Sequence, residues 1–147
     1  PSSAASDVYK RQLMAFDAPS REECTADRSR SSTPLQSLVL LNDPTYVEAA
    51  RVFAQTLLTS PAKDDQQRIV AAFQRVVSRS PTPREQDVVA KLLQLHRHDY
   101  GQDADSVQAL LSVGTAPVPE GINRVELAAW TNVARALLNL HEAITRY

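Results

Sequence analysis

From Leu35 to the end of the chain, apolar residues return every three or four positions, the spacing that holds them on one face of an α-helix. Proline set directly after a capping residue cuts this pattern into segments. Thr33-Pro34, Asp43-Pro44, Ser60-Pro61 and Thr82-Pro83 each place an N-cap side chain ahead of a residue whose missing N–H costs a helix nothing. In Thr82-Pro83-Arg84-Glu85 a glutamate follows the threonine by three, the capping-box pattern.

Six helices follow from these divisions. The first is short, Pro34 to about Leu41, with Leu35, Leu38 and Leu41 on its stripe. The second runs from Pro44 to about Thr59 and aligns Tyr46, Ala50, Phe53 and Leu57, with Val47, Ala54 and Leu58 beside them. The third carries Ile69, Phe73, Val76 and Val77. It starts at Ser60-Pro61 or at Asp64 or Asp65, and Ser80-Pro81 stops it. The fourth aligns Val88, Val89, Leu92, Leu93 and Leu95 and ends near Tyr100-Gly101. A fifth, from about Ala104 to Ser112, has Val107, Leu110 and Leu111. Residues 114–123 read as a loop. The last helix, from about Arg124 to Thr145, carries Leu127, Trp130, Ala134, Leu137 and Leu138. Nothing alternates with period two, so the expectation is an all-α helical bundle of about five to six helices over residues 33–147. Residues 13–32 are polar, with Leu13, Met14 and Phe16 as their few anchors, and read as a loosely ordered arm.

Composition narrows the functional classes. A formal charge of −1 offers no basic footprint for nucleic acid and no polybasic membrane patch. No apolar run approaches the roughly 18 residues that a membrane span requires. Three glycines argue against a phosphate-cradling loop. Cys24 is the single cysteine, so no disulfide can form within the chain.

The segment SSAASDVYKRQ, residues 2–12, has nothing apolar enough to bury. It resembles the translation of a transposase-type adaptor used in sequencing libraries. That resemblance makes residues 1–12 a non-native scar, with the chain the C-terminal end of a longer protein. Without Lys10, Arg11 and Asp7 the count is 14 basic against 16 acidic residues, a formal charge of −2.

A second resemblance covers the rest. The run FDAPSREECTADRSRSSTPLQSLVLLNDPTYVEAAR, residues 16–51, contains the TPLQ-x-L and LLNDP segments of a C-terminal domain of unknown function, numbered fifteen fifty-three, found in planctomycete cytochrome-c-type proteins. Ser37 stands where alanine is usual. Residues 78–85, SRSPTPRE, the segment Glu126-Leu127-Ala128-Ala129-Trp130 and the closing stretch Ala136 to Arg146 are similar to further motifs of that family. The resemblance implies export to the periplasm or cell surface and a cytochrome-c-like region upstream. The upstream domains of the same polypeptide would be the partners. It supplies no catalytic residue. The haem signature C-x-x-C-H is absent from this chain, so any haem would belong to the upstream region.

Candidate chemistry is thin. Cys24, between Glu23 and Thr25, is a nucleophile, a disulfide partner for an upstream cysteine, or a free thiol; its polar surroundings favour the last. His96 and His98, two apart, point to different sides of a helix and form a poor chelating pair. His96 continues the Val89 and Leu93 stripe and reads as a packing histidine. His98 suits a helix C-terminus. His141 lies four residues after Leu137 and extends the last stripe; a haem-facing or metal-facing ligand role, with Glu142 nearby, competes with that of a boundary histidine. Asp43 is accounted for by capping, and Gln36 and Asn42 could hydrogen-bond within the turn they flank. Arg21, Arg28 and Arg30 could hold an acidic sugar but lie scattered among carboxylates. Trp130 and Tyr46 could stack on a carbohydrate ring, and at stripe positions they read as core. The leading expectation is a non-catalytic domain that packs against upstream domains. The alternatives are a share in a redox or polysaccharide-processing active site, and a carbohydrate-binding module.

Overall fold

One helix of this chain is buried over most of its circumference, and it organises the rest. In the computed structural model, which describes residue 38 and residues 41–62 and 64–144, the segment Arg124–Leu138 buries Leu127, Ala128, Ala129, Trp130, Thr131, Val133, Ala134 and Leu137. A helix buried on most of its sides is stable only when other elements surround it. Four helices precede it in the described residues: α1 (Pro44–Leu58), α2 (Asp65–Val77), α3 (Pro83–Gln102) and α4 (Ala104–Leu111). All four pack against this central helix, α5, and a single turn, α6 (His141–Ile144), follows it. There is no strand among the described residues. The chain is an all-α bundle.

Local chemistry fixes the helix starts. The Thr45 N–H donates to Asp43 Oδ1 (2.9 Å), with Pro44 opening α1. Asp64 caps α2, accepting from the Gln67 N–H at 2.7 Å, which selects among the three starts open in the sequence. Both halves of the Thr82–Glu85 capping box are formed. Asp103 ends α3 and caps α4, taking the Ser106 N–H at 3.0 Å. Asn123 Oδ1 accepts from Val125 and Glu126 at the head of α5.

The core joins Ala54 and Leu57 of α1, Ile69 and Phe73 of α2, Val89 and Leu93 of α3, and Val107 and Leu111 of α4 to the α5 residues, Trp130 above all. Alanines on α1 (Ala50, Ala54) and α5 (Ala128, Ala129, Ala134) are fully buried, and side chains this small let the two backbones approach closely. Full burial of a tryptophan is worth several kcal/mol; replacing one by alanine in a core costs about 3–5 kcal/mol.

Four expectations change. α2 ends at Val77, before Ser80-Pro81, because Ser78 adopts the left-handed conformation (φ 59°) and closes the helix by itself. On α3, Val88 and Leu95 face solvent, 59 % and 55 % exposed, while Val89 and Leu93 go inward. On α1, Tyr46 and Phe53 are only half-buried, and the fully buried positions include a charged residue, Arg51. Finally, the last helix is not continuous to Thr145. It stops at Leu138, where the Asn139 N–H is shared between the Arg135 and Ala136 carbonyls and Leu140 N–H bonds back only three residues to Leu137. Asparagine is a poor interior residue for a helix, and this tightened turn redirects the chain before α6.

The segment 2–12, the arm 13–32 with Cys24, Arg21, Arg28 and Arg30, and Gln36 lie outside the described residues. So does most of the expected helix 34–41, of which Leu38, Leu41 and Asn42 are helical.

Candidate functional site

The described residues bring charged side chains together in three places, and each place joins separate segments of the bundle. Arg97, in the C-terminal third of α3, is the most connected. Its guanidinium donates to both carboxylate oxygens of Asp65 (2.6 and 3.0 Å) and to both of Glu126 (2.7 and 2.7 Å). Asp65 opens α2 and Glu126 lies in the first turn of α5, so both carboxylates also favour their own helix N-termini. One planar fork thus ties three helices. Arg68 adds a longer contact to Asp65 at 3.5 Å. The Arg97 hydrogen bonds hold the Asp65 carboxyl below its ordinary range.

The second cluster lies where α2 turns into α3. Arg79 grips Glu85 through two nitrogens (2.9 and 2.6 Å), and its Nε donates to Glu142 Oε2 at 2.9 Å. Its guanidinium also sits 5.7 Å from the centre of the Phe73 ring, within cation–π range. Arg79, with the Thr82 backbone, drives the Glu85 carboxyl down to about 2. Arg79 therefore links the glutamate that closes the capping box to Glu142 of α6.

The third is the least expected from sequence. Arg51 is 1 % exposed and donates to the carbonyls of Val113 (3.3 Å) and Ala116 (2.8 Å). One turn earlier, Glu48 accepts the N–H groups of Thr115 (2.7 Å) and Ala116. Backbone donors thus hold the Glu48 carboxyl low. The pair grasps the loop after α4 by its peptide groups, and Gly114, at φ +88°, lets the loop pass. A Cβ there would stand 2.7 Å from Glu48 Cβ. Arg51 Nε and Nη1 have no hydrogen-bond partner among the described residues.

The two histidines of α3 pack or face solvent apart from these clusters. His96 is half-buried with its ring 6.1 Å from that of Tyr100, and burial pushes its pKa down, as for a packing residue. His98 is exposed. His141 leaves the apolar stripe because the chain turns at Asn139; it is exposed on α6, and its neighbour Glu142 is engaged by Arg79. No group of three or more His, Cys, Asp or Glu residues placed to hold a metal occurs among the described residues. No helix among them is long and apolar enough to cross a membrane. Trp130 is wholly buried, and Tyr46 half-buried. Asn42 Nδ2 bonds back to the Leu38 carbonyl at 3.1 Å, within its own turn.

Sequence reasoning missed Arg51, Glu48, Arg97, Asp65 and Glu126. Arg51 carried a signal, since it stands four residues after Val47 and three before Ala54, on the buried stripe itself. Arg97 carried none, because its partners are 32 and 29 residues away.

Residues 3–93, more than half of the chain, match the family described as PSD1, a protein of unknown function (DUF1553). The chain belongs to this family. The matched stretch of the DUF1553 chain contains α1, α2 and the first part of α3, with Asp65, Arg79 and Glu85. Glu126, Glu142 and the closing motif at 136–146 lie beyond it. No curated protein and no solved structure gives a significant match.

Proposed function

We propose that this DUF1553 chain is a non-catalytic helical domain of a larger, exported planctomycete cytochrome-c-type protein, and that it serves by packing against the domains upstream of it. One observation supports the reading above the others: the charged clusters are spent on holding the bundle together. Arg97, Arg79 and Arg51 each saturate carboxylates or peptide carbonyls from distant segments. A working acid or base is usually tuned toward neutral pH. Here Glu48, Asp65, Glu85 and Asp103 are all displaced the opposite way, deeper into the ionised form. Haem, in this reading, is carried by the upstream region.

The test uses the longer protein recovered from its complete reading frame. Hydrogen exchange of residues 44–144 is compared between the longer protein and the 147-residue chain. Added protection on a contiguous surface, with a higher unfolding temperature, is expected. Identical exchange in both would remove the packing role. In the same longer protein, His141→Ala and Cys24→Ser should leave the haem spectrum and any turnover unchanged; a loss of turnover with the fold intact would favour a catalytic role instead.

A further inference from the structure

Two of the large hydrophobic side chains that reach solvent share one face of α3. Val88 (59 % exposed) and Leu95 (55 % exposed) are seven residues apart, and the half-buried Leu92 stands between them. At 100° per residue, Arg84 and Asp99 continue this seam at its two ends, so it reads Arg84, Val88, Leu92, Leu95, Asp99. A lone exposed leucine or valine needs no explanation; this seam is set apart by the opposite charges that close its two ends.

The charges also sit at the wrong ends of their own helix. Arg84 is in the first turn of α3, where the macrodipole favours an anion, and Asp99 is in its last turn, where it favours a cation. Among the described residues neither forms a salt bridge. Both misplacements are corrected by one arrangement. If a second α3 lies antiparallel across the first, about a two-fold axis between positions 91 and 92, Val88 falls opposite Leu95. The same register sets Arg84 opposite Asp99, and each helix N-terminus beside the other's C-terminus. The pairing is self-complementary, as an isologous interface must be. The cost is at the centre, where Lys91 meets its own copy beside the axis; Asp87, four residues earlier on the same helix, is placed to offset it.

We propose that this seam is a self-association surface, through which two copies of the chain pair α3 against α3 in the antiparallel register. A single helix pair buries less than the roughly 800 Å² per partner of a standard interface, so the dimer is a weak, concentration-dependent one.

Sedimentation equilibrium of the 147-residue chain, from about 1 mM downward, reads the equilibrium directly. A monomer–dimer equilibrium is expected, and a monomer at every concentration overturns the proposal. Leu95→Glu, at an exposed position where the fold should tolerate it (checked by circular dichroism), should weaken association at least tenfold; an unchanged dimer places the interface elsewhere. Arg84→Glu and Asp99→Arg should each weaken association. The double variant should restore it, since each copy then presents the inverted pair. Failure of the double variant to recover overturns the antiparallel register. An α3 seam protected from exchange only in the longer protein, with the chain itself monomeric, assigns the seam to an upstream domain and overturns the second copy.

Discussion

Removing Arg97 tests whether one guanidinium holds α2, α3 and α5 in register. Arg97→Met keeps most of the aliphatic packing and deletes four charge-assisted hydrogen bonds of 2.6–3.0 Å. The three side chains are 22 %, 32 % and 31 % exposed, so the loss should fall between two regimes. An exposed ion pair is worth about 0.2–1 kcal/mol, and breaking a buried one costs about 3–5 kcal/mol. For this half-screened double pair the expected loss is about 2–3 kcal/mol, an unfolding temperature lower by about 6–10 °C for a chain of this size. The pH dependence is the sharper readout. Arg97 lowers the Asp65 carboxyl in the folded chain, so its stabilisation is complete above the ordinary carboxylate pKa near 4 and is lost as pH falls through the lowered folded value. The gap between wild type and Arg97→Met should therefore be widest at pH 7 and shrink toward pH 2. Adding Asp65→Asn and Glu126→Gln to Arg97→Met should regain part of the stability at pH 7, by removing two carboxylates that have lost the Arg97 charge, while Arg68 still faces position 65. Chemical and thermal denaturation followed at 222 nm measure the free energies and the unfolding temperature. A loss below about 0.5 kcal/mol at pH 7, or a gap that does not change with acid, would falsify the account.

Two further substitutions probe the backbone. Ser78→Gly should stabilise the chain by about 1 kcal/mol, because Ser78 holds φ 59° at the end of α2, where glycine carries no Cβ penalty; a neutral or negative effect in thermal unfolding would show that the serine side chain earns its place there. Gly114→Ala should destabilise by about 2 kcal/mol or more, since it combines a strained φ of +88° with a Cβ placed against Glu48; amide exchange at Thr115 and Ala116 should rise with it, and unchanged protection there would mean that the loop does not depend on the Glu48 grip.

The helix starts were legible because capping is local: Asp43, Thr82 and their prolines announce themselves within four residues. The core of α5 was legible for the same reason, as its stripe repeats through Leu127, Trp130, Ala134 and Leu137. What escaped notice depends on partners far along the chain or on a single conformational choice. Whether Val88 or Val89 turns inward depends on which way α3 rolls against α5, and the apolar pattern is wide enough for either. The break at Asn139 turned on one residue inside an otherwise helical run, and it carried His141 away from the stripe. The Arg51 position was visible as a charge on an apolar face, but its partners, the carbonyls of Val113 and Ala116, are backbone groups with no signature in sequence. Family membership was legible in the LLNDP segment; a role for each residue was not.

The placement of α5 at the centre bears on how the chain is made. Translation proceeds from the N-terminus, so α1 to α4 leave the ribosome before the helix that all four cover. At ordinary synthesis rates Leu57, Ile69, Phe73 and Leu93 wait for seconds without Trp130 to pack against. Until α5 arrives the nascent chain is a set of amphipathic segments with exposed apolar faces, a natural client for a holding chaperone. A ribosome stall or nonsense change between positions 112 and 123 would release a product with α1 to α4 and no centre.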